Sequence, residues 1–247
     1  MSIFNHFQHL KLSTDQESAL SKLETFLGSS NQVFMLKGYA GTGKTTLIKG
    51  LIDFIDAEDK KFLLMAPSGR AAKVLRDKTG SGSTIHKGIY NFEKLVNINS
   101  NLEDVAEHSL HYFFPLNQLD DETVIIVDEA SMISSKESKN ELFSFGTNVL
   151  LNDLLTFASL KTTKNKIIFV GDPAQLPPVS DNNSYALESC FFEKLGLQVE
   201  QIEMTEVKRQ SDNLILQNAT IIRETINTAH PTKLTLQYQA TTMLQKV

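Results

Sequence analysis

Two groups of residues in this sequence have the types and spacing needed to handle a triphosphate. Gly38-Tyr39-Ala40-Gly41-Thr42-Gly43-Lys44-Thr45 fits G-x-x-x-x-G-K-[ST] at every fixed position. In such a loop the glycines let backbone N–H groups converge on an anion, and the helix that follows presents its positive end. The lysine side chain reaches the β- and γ-phosphates, and the hydroxyl of the next residue can ligate Mg²⁺. Gly38, Ala40, Gly41, Thr42, Gly43, Lys44, Thr45 and Thr46 are therefore the candidate nucleotide-binding residues. The second group is Asp128-Glu129, which closes the apolar run Glu122-Thr123-Val124-Ile125-Ile126-Val127. This is a Walker B pattern. Strand alternation points the two carboxylates to opposite faces, with the second just past the strand end. Asp128 then joins Thr45 in holding Mg²⁺, and Glu129 orients an attacking water. A dinucleotide fingerprint fails here, because its third glycine would fall on Thr46.

These residues need a scaffold, and the surrounding pattern supplies one. Gln32 to Lys37 reads as a buried strand, and Thr45 to Ile55 carries Leu47, Ile48, Leu51 and Ile55 at helical spacing. Lys61 to Ala66 and Lys166 to Val170 read as further strands, and Val199 to Thr205 alternates like another. Strands that end in polar loops predict an open parallel sheet with its ligand outside the carboxyl ends. Leu12 to Leu27 reads as an amphipathic helix, with Thr14-x-x-Glu17 fitting a capping box and Gly28 as its stop. Ser134 to Leu160 is expected to be helical, in one or two pieces, and so is Leu214 to Ile226. Lys87 to Asp121 carries only mixed signals.

Composition narrows the setting. The 247 residues, 41% of them hydrophobic, suit one α/β domain with additions. A single cysteine, Cys190, excludes a disulfide framework and a cysteine-based zinc site. Met1 to Leu10 has no apolar core of a secretion signal, and no apolar stretch approaches the ~20 residues of a membrane span, so a cytoplasmic location without membrane contact is expected. The net charge of −5 argues mildly against nonspecific duplex binding while allowing a basic groove.

In order and spacing, these motifs resemble superfamily-one DNA helicases of the RecD and Dda type, the five-prime-to-three-prime branch that includes exodeoxyribonuclease V alpha, over nearly all of residues 10 to 225. The resemblance implies a RecA-like P-loop NTPase: an α/β fold with an open, mainly parallel sheet flanked by helices. Thr14-Asp15-Gln16 looks like the Q motif, so Gln16 would contact adenine. Ala66-Pro67-Ser68-Gly69-Arg70-Ala71-Ala72 and Ser83-Thr84-Ile85-His86 resemble two DNA-contacting motifs, implying that Pro67, Ser68, Arg70, Thr84 and His86 meet single-stranded DNA. In Gly171-Asp172-Pro173-Ala174-Gln175-Leu176-Pro177-Pro178-Val179, Gln175 would sense the γ-phosphate. In Val207-Lys208-Arg209-Gln210, Arg209 would reach it. The implied catalytic set is Lys44, Asp128, Glu129, Gln175 and Arg209, with ATP and Mg²⁺ as cofactors.

The same resemblance divides the chain into an N-terminal helix with the Q motif (1–30), a motor domain (31–225) with 87–121 as a strand-separating insert, and a segment (226–247) leading toward a second RecA-like domain. Nothing like the family's motifs V and VI follows Arg209. The implied partners are single-stranded DNA, that second domain, and further subunits of a helicase and nuclease complex working in repair or recombination. Two other readings stay open: a P-loop NTPase that is not a helicase, and a nucleotide-switched DNA-binding module. A GTPase would need Asp where Thr163-Lys164-Asn165-Lys166 has its second lysine.

Overall fold

The computed structural model describes residues 2–94, 96–97, 112–140, 142–179 and 181–207, and residues 218, 221, 222 and 225. The chain falls into two units, Met1–Val207 and Lys208–Val247. In the second, the described residues 218, 221, 222 and 225 are helical, and the Thr225 hydroxyl donates to the Ile221 carbonyl. The rest of the helix expected over Leu214 to Ile226 lies outside the described residues.

In the first unit, parallel strands form the centre. They are β1 (Val33–Gly38), β2 (Phe62–Ala66), β3 (Ser83–Thr84), β6 (Val124–Val127), β8 (Lys166–Gly171) and β9 (Val199–Met204), laid out as β3-β2-β6-β8-β1-β9. All their pairings are parallel, for example Met35↔Phe169 and Ile126↔Ile168. Parallel sheets need cover on both faces, and the inner strands β6 and β8 read as apolar runs for that reason, whereas β9 at the edge alternates. Alternation then sorts their side chains: Met35, Ile125, Val127, Ile167 and Phe169 enter one core, while Phe34, Leu36, Ile126, Ile168 and Val170 enter the other. The first core is closed by α4 (Ile85–Ile89), α5 (Leu150–Ala158) and α6 (Ser189–Lys194). The second is closed by α1 (Thr14–Gly28), α2 (Lys44–Ala57), α3 (Gly69–Thr79) and a 3₁₀ turn at Ile3–Phe7.

The helix expected over Leu12 to Leu27 is α1, with a different cap. Ser13 is the N-cap: its side chain accepts from the Gln16 N–H, and the Gln16 side chain accepts from the Ser13 N–H. The box is one residue earlier than Thr14-x-x-Glu17. The larger departure is Ser134 to Leu160. Among the described residues only α5 is an α-helix there, and Phe143–Phe145 is strand β7. The reason is aromatic pairing: β7 lies parallel to β5 (Tyr112–Phe114), with Phe143 opposite Tyr112 and Phe145 opposite Phe114. The Phe114 and Phe145 rings stack at 5.0 Å. Left-handed backbone at Gly146 and Asn148 then ends the strand and delays the helix. With β4 (Val96–Asn97), these strands make a small sheet ordered β4-β5-β7. Strands β4 and β5 fall within 87–121, whereas β7 lies well beyond it. Among the described residues no helix is long and apolar enough to cross a membrane.

Candidate functional site

Strands β6, β8 and β1 are consecutive in the sheet, and the candidate residues sit where their carboxyl ends meet. Strand β1 runs into residues 39–43 and then α2. Gly43 caps that helix at φ 91°, and a Cβ there would lie 2.3 Å from the Gln16 Nε2. Only glycine meets both demands. Lys44 folds over the loop, donating from Nζ to the Gly38 carbonyl at 2.6 Å and the Tyr39 carbonyl at 3.0 Å. Neutral carbonyls are weaker partners for an ammonium than phosphate oxygens, so a triphosphate can take their place. Gly41, Thr42, Thr45 and Thr46 are brought round the same turn, and Ala40 is exposed at its tip.

Gln16 is buried, only 5% exposed. Its Oε1 completes the cap, and its Nε2 donates to the Thr42 carbonyl at 2.9 Å. Its neighbour Asp15 has a structural role. The Asp15 carboxylate accepts from the Thr205 N–H (2.7 Å) and the Glu206 N–H (2.9 Å), tying the end of β9 to α1. The Glu206 and Thr205 amides hold this carboxyl below its usual range. Nothing in the local sequence signals a contact spanning that separation.

At the end of β6 the expected strand alternation is corrected. The strand stops at Val127, and Glu129 has left-handed backbone (φ 53°) as the cap of a 3₁₀ turn over Ala130–Met132. The Asp128 N–H donates to the Met65 carbonyl, and its Oδ1 accepts from the Glu129 N–H at 2.9 Å. A tight turn, then, and not the pleat, separates the two carboxylates. Asp128 is 7% exposed, and burial pushes its pKa up to about 6. The Glu129 charge adds to the rise, while the Glu129 amide, Lys44 and Lys78 oppose it. A carboxylate penalised by burial is well suited to a divalent cation, which stabilises its charged form. Among the described residues no cluster of three or more His, Cys, Asp or Glu could hold a metal by itself. Thr45 and Asp128 fit Mg²⁺ instead, because that ion takes few protein ligands and completes its shell with phosphate and water.

At the end of β8, Asp172 accepts from the Ala174 N–H at 3.0 Å and shapes the loop that carries Gln175. Gln175 is exposed, and its Oε1 accepts from the Ser131 hydroxyl at 3.1 Å. Arg209 lies outside the described residues.

The residues implied in DNA contact also come together. Strand β3 pairs with β2 through Met65↔Ser83 and Ala66↔Thr84, which puts Pro67 and Ser68 beside the Thr84 end. Ser68 and Thr84 each cap a helix, accepting from the Ala71 and Lys87 N–H groups. Arg70 is exposed on the first turn of α3. His86 is half-buried, 5.5 Å from the rings of both Tyr90 and Phe145, and burial lowers its pKa although Asp153 opposes the shift. It supplies shape and a neutral ring at this edge. Beside it lies an aromatic surface that the sequence reading did not assemble: Phe92 and Phe143 are exposed, and Phe92 packs on Phe114 and Phe145.

The chain is similar to known proteins. Residues 11–240 match the AAA domain family. RecD, a subunit of the RecBCD enzyme of Buchnera aphidicola, is 31% identical over 173 residues, covering 66% of this chain and 26% of RecD. The ATP-dependent DNA helicase Dda of Enterobacteria phage T4 is 29% identical over 209 residues, covering 83% of this chain and 41% of Dda. The chain thus spans less than half the length of either relative. The solved Pif1 helicase of Candida albicans superposes with a TM-score of 0.52 at 20% identity, covering 87% of this chain and 44% of that one, which is a likeness of fold. With the motifs, the all-parallel sheet and these relatives in agreement, the chain belongs to the AAA domain family, as a RecA-like P-loop domain of the superfamily-one RecD and Dda type.

Proposed function

We propose that this chain is the ATP-hydrolysing half of a DNA helicase motor. The supporting observation is the order β6-β8-β1, which sets Asp128 and Glu129, Gln175, and the Lys44 loop side by side at one sheet edge. On this reading Gln16 borders the adenine, Lys44 and the loop amides hold the phosphates, and Glu129 orients the attacking water. Mg²⁺, bound through Thr45 and Asp128, neutralises charge developing on the phosphates. Single-stranded DNA crosses the neighbouring strand ends at Pro67, Ser68, Arg70, Thr84 and His86, held through its phosphates. Strand separation needs a second RecA-like domain that closes on this one over the nucleotide, with Arg209 as one γ-phosphate contact. Association with helicase and nuclease subunits, a role in repair or recombination, and a cytoplasmic location belong to the same proposal.

The test compares hydrolysis of ATP and GTP by the purified chain, with and without single-stranded DNA. ATP preference with stimulation by DNA is the expected result. GTP preference, or hydrolysis indifferent to DNA, would favour an NTPase of another kind. Nucleotide-dependent DNA binding without turnover would favour a switch module.

A further inference from the structure

The hydrogen bond between Ser131 and Gln175 joins the loop after β6 to the loop after β8. Ser131 is wholly buried, two residues after Glu129, and its carbonyl accepts from the Ser184 hydroxyl at 3.0 Å. A Cβ at Gly171 would approach the Ser131 amide nitrogen to 3.3 Å, so the turn is pressed against the end of β8. The serine hydroxyl therefore has little freedom. The far side of the Gln175 loop is anchored as well. Asp181, 7% exposed, accepts from the Ser135 N–H at 2.8 Å and from the Ser134 and Ser135 hydroxyls at 3.1 Å each. Between the anchors Leu176 and Val179 are 87% and 93% exposed while Pro178 is buried, so the loop is held by that packed proline together with the polar ties to the segment that follows Glu129.

A primary amide has one accepting and one donating end. With the Gln175 Oε1 taken by a hydroxyl donor, the NH₂ group is the end left for a ligand, and a γ-phosphate offers acceptors only. We propose that Ser131 is a positioning residue for ATP hydrolysis, its hydroxyl orienting the Gln175 amide so that Nε2 donates to the γ-phosphate. The proposal rests on the nucleotide reading above and adds a residue to it. It also makes the Gln175 loop follow the backbone turn that carries Glu129, so the two groups move as a unit.

The test is a double-mutant cycle of Ser131→Ala and Gln175→Ala in the full chain, read as kcat for ATP with single-stranded DNA and as affinity for a fluorescent ATP analogue. Ser131→Ala should lower kcat about tenfold with analogue affinity unchanged, and should have no further effect on the Gln175→Ala background. Gln175→Glu keeps the acceptor for Ser131 but replaces the donor with a charge, and should be slower than Gln175→Ala. Full activity in Ser131→Ala, or equal losses on both backgrounds, would overturn the proposal while leaving ATP binding intact. Failure of the wild-type chain to bind the analogue would overturn the nucleotide reading and this proposal together.

Discussion

The Nε2 of Gln16 donates to the carbonyl of Thr42 at 2.9 Å while its Oε1 accepts from the Ser13 N–H, so one buried amide both caps α1 and holds the phosphate loop. Gln16→Ala should therefore weaken two things at once. Loss of the reciprocal cap and of the partner to a buried carbonyl should reduce stability by ~1–3 kcal/mol. The loosened loop should raise the apparent KM for ATP several-fold. Urea unfolding and steady-state kinetics would check both effects. A variant with an unchanged midpoint and unchanged KM would mean that the amide contributes neither.

Lys44 and Glu129 should fail in different ways. Lys44→Ala removes the cation from the phosphate loop and should reduce Mg-ATP affinity by tenfold or more. Glu129→Gln keeps size and backbone, so binding should persist while hydrolysis falls by at least ~10². Calorimetry with Mg-ATP, paired with a phosphate-release assay, separates the two. Equal ATP affinity for wild type and Lys44→Ala would remove the lysine from the phosphate site.

Arg70 tests the path across the strand ends. It is exposed beside the paired ends of β2 and β3, and phosphate contacts of this kind are salt-dependent and tolerant of sequence. Arg70→Ala should weaken single-strand binding several-fold and reduce the slope of log affinity against log salt by ~0.7. Fluorescence anisotropy over a salt series gives both quantities. An unaltered slope, or a preference for duplex, would move the DNA elsewhere.

Much of this geometry is legible in the residues, for identifiable reasons. Val124 to Val127 and Ile167 to Val170 are buried on both faces, so each is a short apolar run, and polar residues follow where the strands stop. Strand β7 was hidden because its partner Tyr112–Phe114 is remote in sequence, and Phe-Ser-Phe carries too little periodicity to declare a strand unaided. The burial of Gln16 was hidden by a local ambiguity. Ser13-x-x-Gln16 and Thr14-x-x-Glu17 both satisfy the capping pattern, and the contact with Thr42 that distinguishes them is tertiary. Glu129 lies just past the strand end as expected, but two adjacent carboxylates do not reveal the left-handed turn that separates it from Asp128.

Tyr90 and Asp153 form a polar centre inside the core that joins α4 to α5. The Tyr90 hydroxyl donates to Asp153 Oδ2 at 2.6 Å, and the Thr147 N–H and hydroxyl donate to Oδ1 at 2.9 and 2.7 Å. Burial, with the carboxylate as acceptor, drives the tyrosine pKa far above its ordinary value. Tyr90→Phe removes one of several donors and should cost ~1–3 kcal/mol. Asp153→Ala strands the Tyr90 and Thr147 donors together and should cost more, ~3–5 kcal/mol. Denaturant titration would check the order, and a smaller loss for Asp153→Ala would contradict this account of the centre.

Asp128 should set function and stability against each other as pH changes. Its folded pKa of about 6 stands above the ordinary aspartate value of 3.8, so between these values the folded chain binds more protons than the unfolded chain. Stability from this group is therefore highest at low pH, falls as pH rises through that window, and reaches its full penalty above about 6. Nucleotide chemistry runs the other way, because Mg²⁺ needs the ionised carboxylate and competes with its proton, so the Mg²⁺ concentration required for half-maximal ATP hydrolysis should rise as pH falls toward 6 and below. Asp128→Asn separates the effects. Its Oδ1 can still accept from the Glu129 N–H, and the buried charge is gone. At pH 7.5 without Mg²⁺ it should be more stable than wild type by up to ~3 kcal/mol, a rise in Tm of ~5 °C or more. That gain should shrink toward pH 5, while Mg-dependent hydrolysis is lost at every pH. Thermal unfolding at several pH values is the measurement, and an Asp128→Asn chain less stable than wild type at pH 7.5 would mean that the carboxylate is satisfied where it sits and carries no charge penalty.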